Sequence, residues 1–166
     1  VSKLDLDIAP GRITGLIGPN GAGKTTAFNL LTGFLEADGG DVAYRGRSLR
    51  GLKPHRIVRL GIARSFQDLK LFTRLTVLEN VLVALPRQRG DHLAHVYLAP
   101  WAVAREERAN LARAMAILEF VGLQGRAAEL ATDLSYAEEK LLAVARLLAT
   151  DAEVLLFDEP LSGLAP

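Results

Sequence analysis

Three glycines, Gly18, Gly21 and Gly23, stand close together and are followed at once by Lys24, Thr25 and Thr26. The segment Gly18-Pro19-Asn20-Gly21-Ala22-Gly23-Lys24-Thr25-Thr26 satisfies G-x-x-x-x-G-K-[ST]. Glycines at this spacing let a backbone curl closely and turn its N–H groups inward around an anion. Before the loop, the apolar run Ile13 to Ile17 reads as a short buried strand. After it, Ala27, Phe28, Leu30 and Leu31 fall at helical spacing over Thr25 to Thr32, with Gly33 as a stop. Such a helix aims its positive end at whatever the loop encloses. The chemistry this suits is polyphosphate binding, with Lys24 as a point charge for β- and γ-phosphates and the Thr25 hydroxyl as a ligand of Mg²⁺.

The end of the chain supplies acids. Val154-Leu155-Leu156-Phe157 is followed by Asp158 and Glu159. In open α/β sheets ligands bind at the carboxyl ends of strands, so a strand over Glu153 to Phe157 would deliver Asp158 as a metal ligand. Glu159, one residue on, is placed to orient or polarise an attacking water. An acidic pair after an apolar strand is otherwise a turn or a helix cap; the phosphate loop upstream decides between the two readings.

Between these ends the pattern changes from mixed to helical. Asp38-Gly39-Gly40 is a turn leading to a strand at Asp41 to Tyr44, and Gly61 to Phe66 reads as another strand. Helices are expected over Thr76 to Ala84, from about Val103 to Val121 with Gly122 as its stop, and over Ser135 to Ala149. The longest carries Leu111, Ala114, Leu118 and Val121 on one face. Pro86 to Pro100 is the least regular stretch. The expected organisation is one α/β domain, with a core of residues 1–75 and 150–166 on a mostly parallel sheet and a helical insertion over 76–149.

Bulk properties exclude several classes. Lys and Arg number 20 against 19 Asp and Glu, so a net charge of +1 offers no electrostatic footprint for nucleic acid. The absence of cysteine removes disulfides and thiolate metal sites. Leu141 to Ala149 is apolar but contains Arg146 and falls far short of the roughly 20 residues that span a bilayer. No secretory signal is present. The chain opens at Val1 rather than Met and stops at Pro166 directly after a motif, and so reads as a fragment.

Taken together these residues resemble the ATP-binding-cassette family over nearly the whole chain. Gln67, in Arg64-Ser65-Phe66-Gln67, is similar to that family's Q-loop, and Leu134-Ser135-Tyr136-Ala137-Glu138 to its signature, normally LSGGQ. The resemblance implies ATP as nucleotide and a catalytic role for Glu159 and Gln67, with Thr25, Gln67 and Asp158 organising Mg²⁺. It also implies two cassettes that sandwich two nucleotides, so that Ser135, Tyr136 and Ala137 meet the partner's ATP. Permease subunits would hold the chain at the cytoplasmic face of the membrane. The run Ala27 to Phe34, Arg64 to Gln67, Leu71-Phe72, Leu75 to Asn80 and Leu134-Ser135-Tyr136 further resemble the ATP-binding subunits of branched-chain amino acid importers, LivG type; urea and amide importers share similar subunits. Three positions depart from the pattern: Ala137 for the second signature glycine, Glu138 for its glutamine, and Ala165 for the aspartate of the D-loop. The family's switch histidine would lie past Pro166, and its adenine-stacking aromatic before Val1. Ser135-x-x-Glu138 also fits a capping box, and both readings can hold together.

Other candidates are set aside. His92 and His95 read as exposed loop residues, Trp101 as a helix-start anchor on the core, and Arg105, Glu106, Glu107 and Arg108 as a solvated face. Phe66, Leu71 and Phe72 could equally dock a permease helix or pack in the core. A chromosome-maintenance ATPase would need a long coiled coil between Gln67 and Leu134, and no heptad run fills that gap. A non-hydrolysing ATP-binding module stays open because of Ala137, Glu138 and Ala165.

Overall fold

The computed structural model describes residues 4–19, 21–65, 71–86, 88 and 97–158. The chain forms two compact units, residues 1–62 and 63–166. Among the described residues it mixes helices and strands, with a run of three α-helices between the last two strands, consistent with the α/β class.

In the first unit α1 spans Lys24–Leu31 and buries Ala27. It ends as the sequence predicts. Gly33 takes φ 71°, its N–H reaches Leu30 O at 3.3 Å, and Phe34 N–H reaches Asn29 O at 2.9 Å, the paired bonds of a Schellman stop. A Cβ on Gly33 would also fall 2.5 Å from Leu52 O, so glycine is required there twice over. Next come β1 (Ala43–Tyr44) and β2 (Arg47–Ser48), antiparallel with Tyr44 opposite Arg47. Arg45 and Gly46, both at positive φ, make the two-residue turn that matches strand twist. The second strand and α2 (Pro54–Arg59) add to the expected elements. Pro54 opens α2 at a position whose N–H would be unsatisfied anyway, and Ile57 is its buried residue.

One expectation fails here. Residues 13–17 form no strand, and Ile13 and Ile17 are fully exposed. An apolar run becomes a strand only where a neighbour completes its hydrogen bonds, and among the described residues both sheets are two-stranded and exclude it.

The second unit holds β3 (Ile62–Arg64, beginning at the unit boundary), α3 (Val77–Leu82), α4 (Pro100–Phe120), α5 (Tyr136–Ala149) and β4 (Val154–Leu156). Val77, Val81, Ala114, Leu118, Leu142, Ala145 and Ala149 from the three helices are completely buried against one another. Gly122 closes α4 as Gly33 closes α1, with Leu123 N–H on Leu118 O at 2.8 Å. Short 3₁₀ turns at Gln124–Arg126 and Ala131–Asp133 lead into α5. Between them the chain satisfies the start of α3: Val77 N–H donates to Glu129 O and Leu78 N–H to Ala127 O. Asn80, fully buried, donates to the carbonyls of Phe72, Leu75 and Thr76 and accepts from Phe72 N–H, so one side chain holds the turn before α3.

Two packing expectations are corrected. Trp101 is 73% exposed, because the first turn of α4 leaves it outside the face that carries Val103 inward. Leu111 is also exposed, while Ala114 and Leu118 form the buried stripe. Leu71 packs against the core, whereas Phe72 is exposed with the Arg146 guanidinium 4.9 Å from its ring centroid. Of the four residues expected to form a solvated face, Arg105, Glu107 and Arg108 are exposed, while Glu106 is half-buried. Phe66, His92 and His95 lie outside the described residues, and so does the altered D-loop with Ala165. No helix among the described residues is long and apolar enough to cross a membrane.

Candidate functional site

The glycine loop belongs to the first unit. Gly21 at φ 82° and Gly23 at φ 90° occupy the left-handed region where a side chain is strained, and Gly23 is the N-cap of α1. Ala22 N–H closes a turn onto Pro19 O at 3.2 Å. A Cβ on Gly18 would lie 3.1 Å from the Ala22 methyl, so the loop is also tight across its base. Lys24 reaches back over it, donating from Nζ to Gly18 O at 2.6 Å and to Pro19 O at 3.0 Å. An ammonium has three donors, and two carbonyls do not exhaust it. The first turn of α1 carries no acid, so its positive end is unopposed. Thr25 is exposed and Thr26 half-buried on that turn. Loop, lysine and helix end can cradle an anion. Asn20 lies outside the described residues.

Asp158 belongs to the second unit, just past β4. Its Oδ2 accepts from Arg64 Nη2 at 2.7 Å, and both side chains are only 6% exposed. Ser65 ties the same strands together: its N–H donates to Leu156 O at 2.9 Å, and its Oγ accepts from Asp158 N–H at 3.1 Å. Sequence reasoning gave Arg64 no role. The signal was there, since an arginine inside the apolar strand Ile62–Arg64 needs an acidic partner. Gln67 and Glu159 lie outside the described residues. Taken each within its own unit, the Thr25 hydroxyl is exposed and the Asp158 carboxylate is engaged by Arg64, and both are hard oxygen donors of the kind Mg²⁺ takes.

Ser135 caps α5, as the S-x-x-E pattern predicts. Glu138 N–H donates to Ser135 Oγ, while Ser135 N–H and Oγ donate to Glu138 Oε2 at 2.8 and 2.7 Å. Ser135, Tyr136 and Ala137 are all exposed at this helix end, with Lys140 Nζ 5.0 Å from the Tyr136 ring centroid. Arg126, absent from the sequence reading, meets Glu138 from the preceding 3₁₀ turn, Nε to Oε1 at 3.1 Å. The Glu138 carboxyl is held at about 2 rather than 4.5, first by the Ser135 N–H, then by the Ser135 hydroxyl and Arg126.

Comparison with known proteins follows this geometry. The ABC transporter family model matches residues 1–162. The branched-chain amino acid transport ATP-binding protein LivG of Escherichia coli K12 is 42% identical over 166 residues, all of this chain and 65% of LivG. BraF of Pseudomonas aeruginosa, described in the same terms, is 40% identical over all of this chain and 65% of its own length. The chain thus spans a little under two thirds of the curated relatives it matches. Among solved structures, MJ1267, an ATP-binding cassette of an ABC transporter, superposes with TM-score 0.77 at 34% identity, over 97% of this chain and 63% of that one. The dimeric bacterial cassette MJ0796 superposes at 0.76 with 25% identity, over 96% of this chain and 66% of that one. The fold is therefore that of an ABC ATPase cassette, and the chain belongs to the ABC transporter family.

Proposed function

We propose that this chain binds Mg·ATP and hydrolyses it to ADP and phosphate, as the nucleotide-binding subunit of an importer for branched-chain amino acids or a related small solute. The observation that carries the nucleotide is the loop: Gly21 and Gly23 at positive φ, with Lys24 folded over the Gly18 and Pro19 carbonyls. In this reading the N–H groups of the glycine loop and Lys24 hold the phosphates. Thr25, Asp158 and Gln67 would hold Mg²⁺, which would supply neutralising charge for the phosphate oxygens. Glu159 orients a water whose oxygen attacks the γ-phosphorus and takes its proton. The bond from that phosphorus to the bridging oxygen breaks, and ADP leaves with the electron pair. Catalysis is chiefly positioning and charge stabilisation.

The names of LivG and BraF support branched-chain amino acids as the solute class; a peripheral place on permease subunits at the cytoplasmic face belongs to the same proposal. The dimeric cassette MJ0796 supports a second cassette as partner; the proposal sets Ser135, Tyr136 and Ala137 toward it. Residues 1–75 and 150–166 would serve as nucleotide core and 76–149 as the helical part that carries the signature.

The test is phosphate release from Mg·ATP by the full-length protein beside Lys24→Ala and Glu159→Gln. Release abolished by both supports the proposal; release unaffected by Glu159→Gln removes that residue's role. A second reading, an ATP-binding module that does not hydrolyse, is favoured by one contact, the Ser135 hydroxyl committed to Glu138 at 2.7 Å. Lys24-dependent binding with no release would select it.

A further inference from the structure

Glu138 places a carboxylate where the signature of the family carries a neutral glutamine. It stands in the first turn of α5, at the helix end that the proposed function turns toward a nucleotide on another cassette. An uncompensated charge there repels an approaching γ-phosphate, and at separations of several ångströms the cost corresponds to about tenfold or more in affinity.

The structure supplies the compensation. Arg126 sets its guanidinium against both oxygens of Glu138, Nε to Oε1 at 3.1 Å and Nη2 to Oε2 at 3.4 Å. Its remaining nitrogen, Nη1, bonds Glu129 Oε1 at 3.0 Å, which fixes the plane of the fork. The backbone also fixes it: Arg126 closes a 3₁₀ turn onto Leu123 O, directly after the Gly122 stop of α4. Glu138 thereby receives Arg126 on one side and the Ser135 N–H and hydroxyl on the other. The pair is partly exposed, Arg126 at 39% and Glu138 at 27%, and ion pairs at such exposure contribute little to stability. Its effect is on the field at the helix end.

We propose that Arg126 is a positioning residue of the signature: shared between Glu138 and Glu129, it offsets part of the Glu138 charge and draws the carboxylate aside, so that the start of α5 can meet the phosphate of a nucleotide held by a second cassette. This rests on the reading of Ser135 to Ala137 as a contact made in trans.

The experiment measures association driven by a slowly hydrolysed ATP analogue with Mg²⁺, using the full-length protein alone and mixed with the second cassette of its transporter. Nucleotide affinity of the monomer and the melting temperature are followed in parallel. Arg126→Ala is expected to weaken association about tenfold while leaving monomer affinity within about twofold, as a lost charge–charge effect would. Glu138→Gln is expected to associate at least as well as the native protein. The double variant is expected to recover the Glu138→Gln value, which loss of a merely structural arginine would not allow. Arg126→Lys, which keeps the charge without the fork, is expected to stay within about threefold. Association that survives Arg126→Ala, or a double variant as weak as the single one, overturns the proposal alone. Nucleotide binding without any association in the native protein overturns the in-trans reading, and the proposal with it.

Discussion

At the scale of single residues, the buried contact between Arg64 and Asp158 carries a large energetic consequence. Both are almost completely withdrawn from water, and their attraction does little more than offset the cost of that withdrawal. Removing one partner leaves the other buried and uncompensated, at a cost of about 3–5 kcal/mol. Arg64→Ala is therefore expected to lower the unfolding free energy by about that much in urea titration, a far larger effect than a surface arginine gives. A loss under about 1 kcal/mol would show that the charge finds water or another partner. Asp158 was legible as an acid of interest because the phosphate loop upstream sets it apart from an ordinary turn or helix cap. Arg64 was not, because its partner is 94 residues away in the chain and local pattern carries no information across that distance. Arg126 was missed for a similar reason: nothing within its own 3₁₀ turn points to Glu138, which sits beyond a second turn.

Among the elements, α3 and α5 begin in the same way. Thr76 and Glu79 form a capping box before one, Ser135 and Glu138 before the other, and each glutamate carboxyl is held below its usual value by the N-cap residue. The consequence for pH follows from the direction of those shifts. A carboxylate whose folded value lies below its unfolded value stabilises the fold above the unfolded value, near 4.5, and that stabilisation drains away as pH falls toward about 2 for Glu138. The melting temperature is expected to decline through this window, and Glu138→Gln, with nothing to protonate, to flatten the decline. An unchanged acid limb in that variant would contradict the assignment. Ser135→Ala is expected to cost about 1 kcal/mol through the lost cap, read as a small drop in urea midpoint. Helix ends were readable in advance because caps and glycine stops are written within a few residues, as at Ser135, Gly33 and Gly122. The strand over residues 13–17 was misread because an apolar run shows what it would bury and not whether a neighbour is there to pair with it. The hairpin's second strand and α2 are only two and six residues long, too short to show a period.

On the scale of the whole molecule, the α/β class was legible since it depends on the order of elements, whereas the packing of α3, α4 and α5 depends on residues far apart in sequence. Leu118, completely buried on α4, illustrates the second kind, and Leu118→Ala is expected to cost about 2–5 kcal/mol. Such a loss bears on stability and leaves the phosphate loop's own geometry untouched, because Lys24, Gly18 and Pro19 are held by contacts within seven residues of chain. Nucleotide binding can accordingly be read through stability without reference to hydrolysis. A ligand bound to the native chain alone stabilises it by about 2.7 kcal/mol at a hundred times its Kd, enough to raise the melting temperature by several degrees. Mg·ATP is expected to produce that rise in the native protein and in Glu159→Gln, which keeps the loop. Lys24→Ala is expected to show none, since the charge over the Gly18 and Pro19 carbonyls is gone. A rise that persists in Lys24→Ala would place the nucleotide elsewhere and remove the loop from the site. Its disappearance in Lys24→Ala alone separates binding from turnover, and gives phosphate release measured on the same variants a single interpretation.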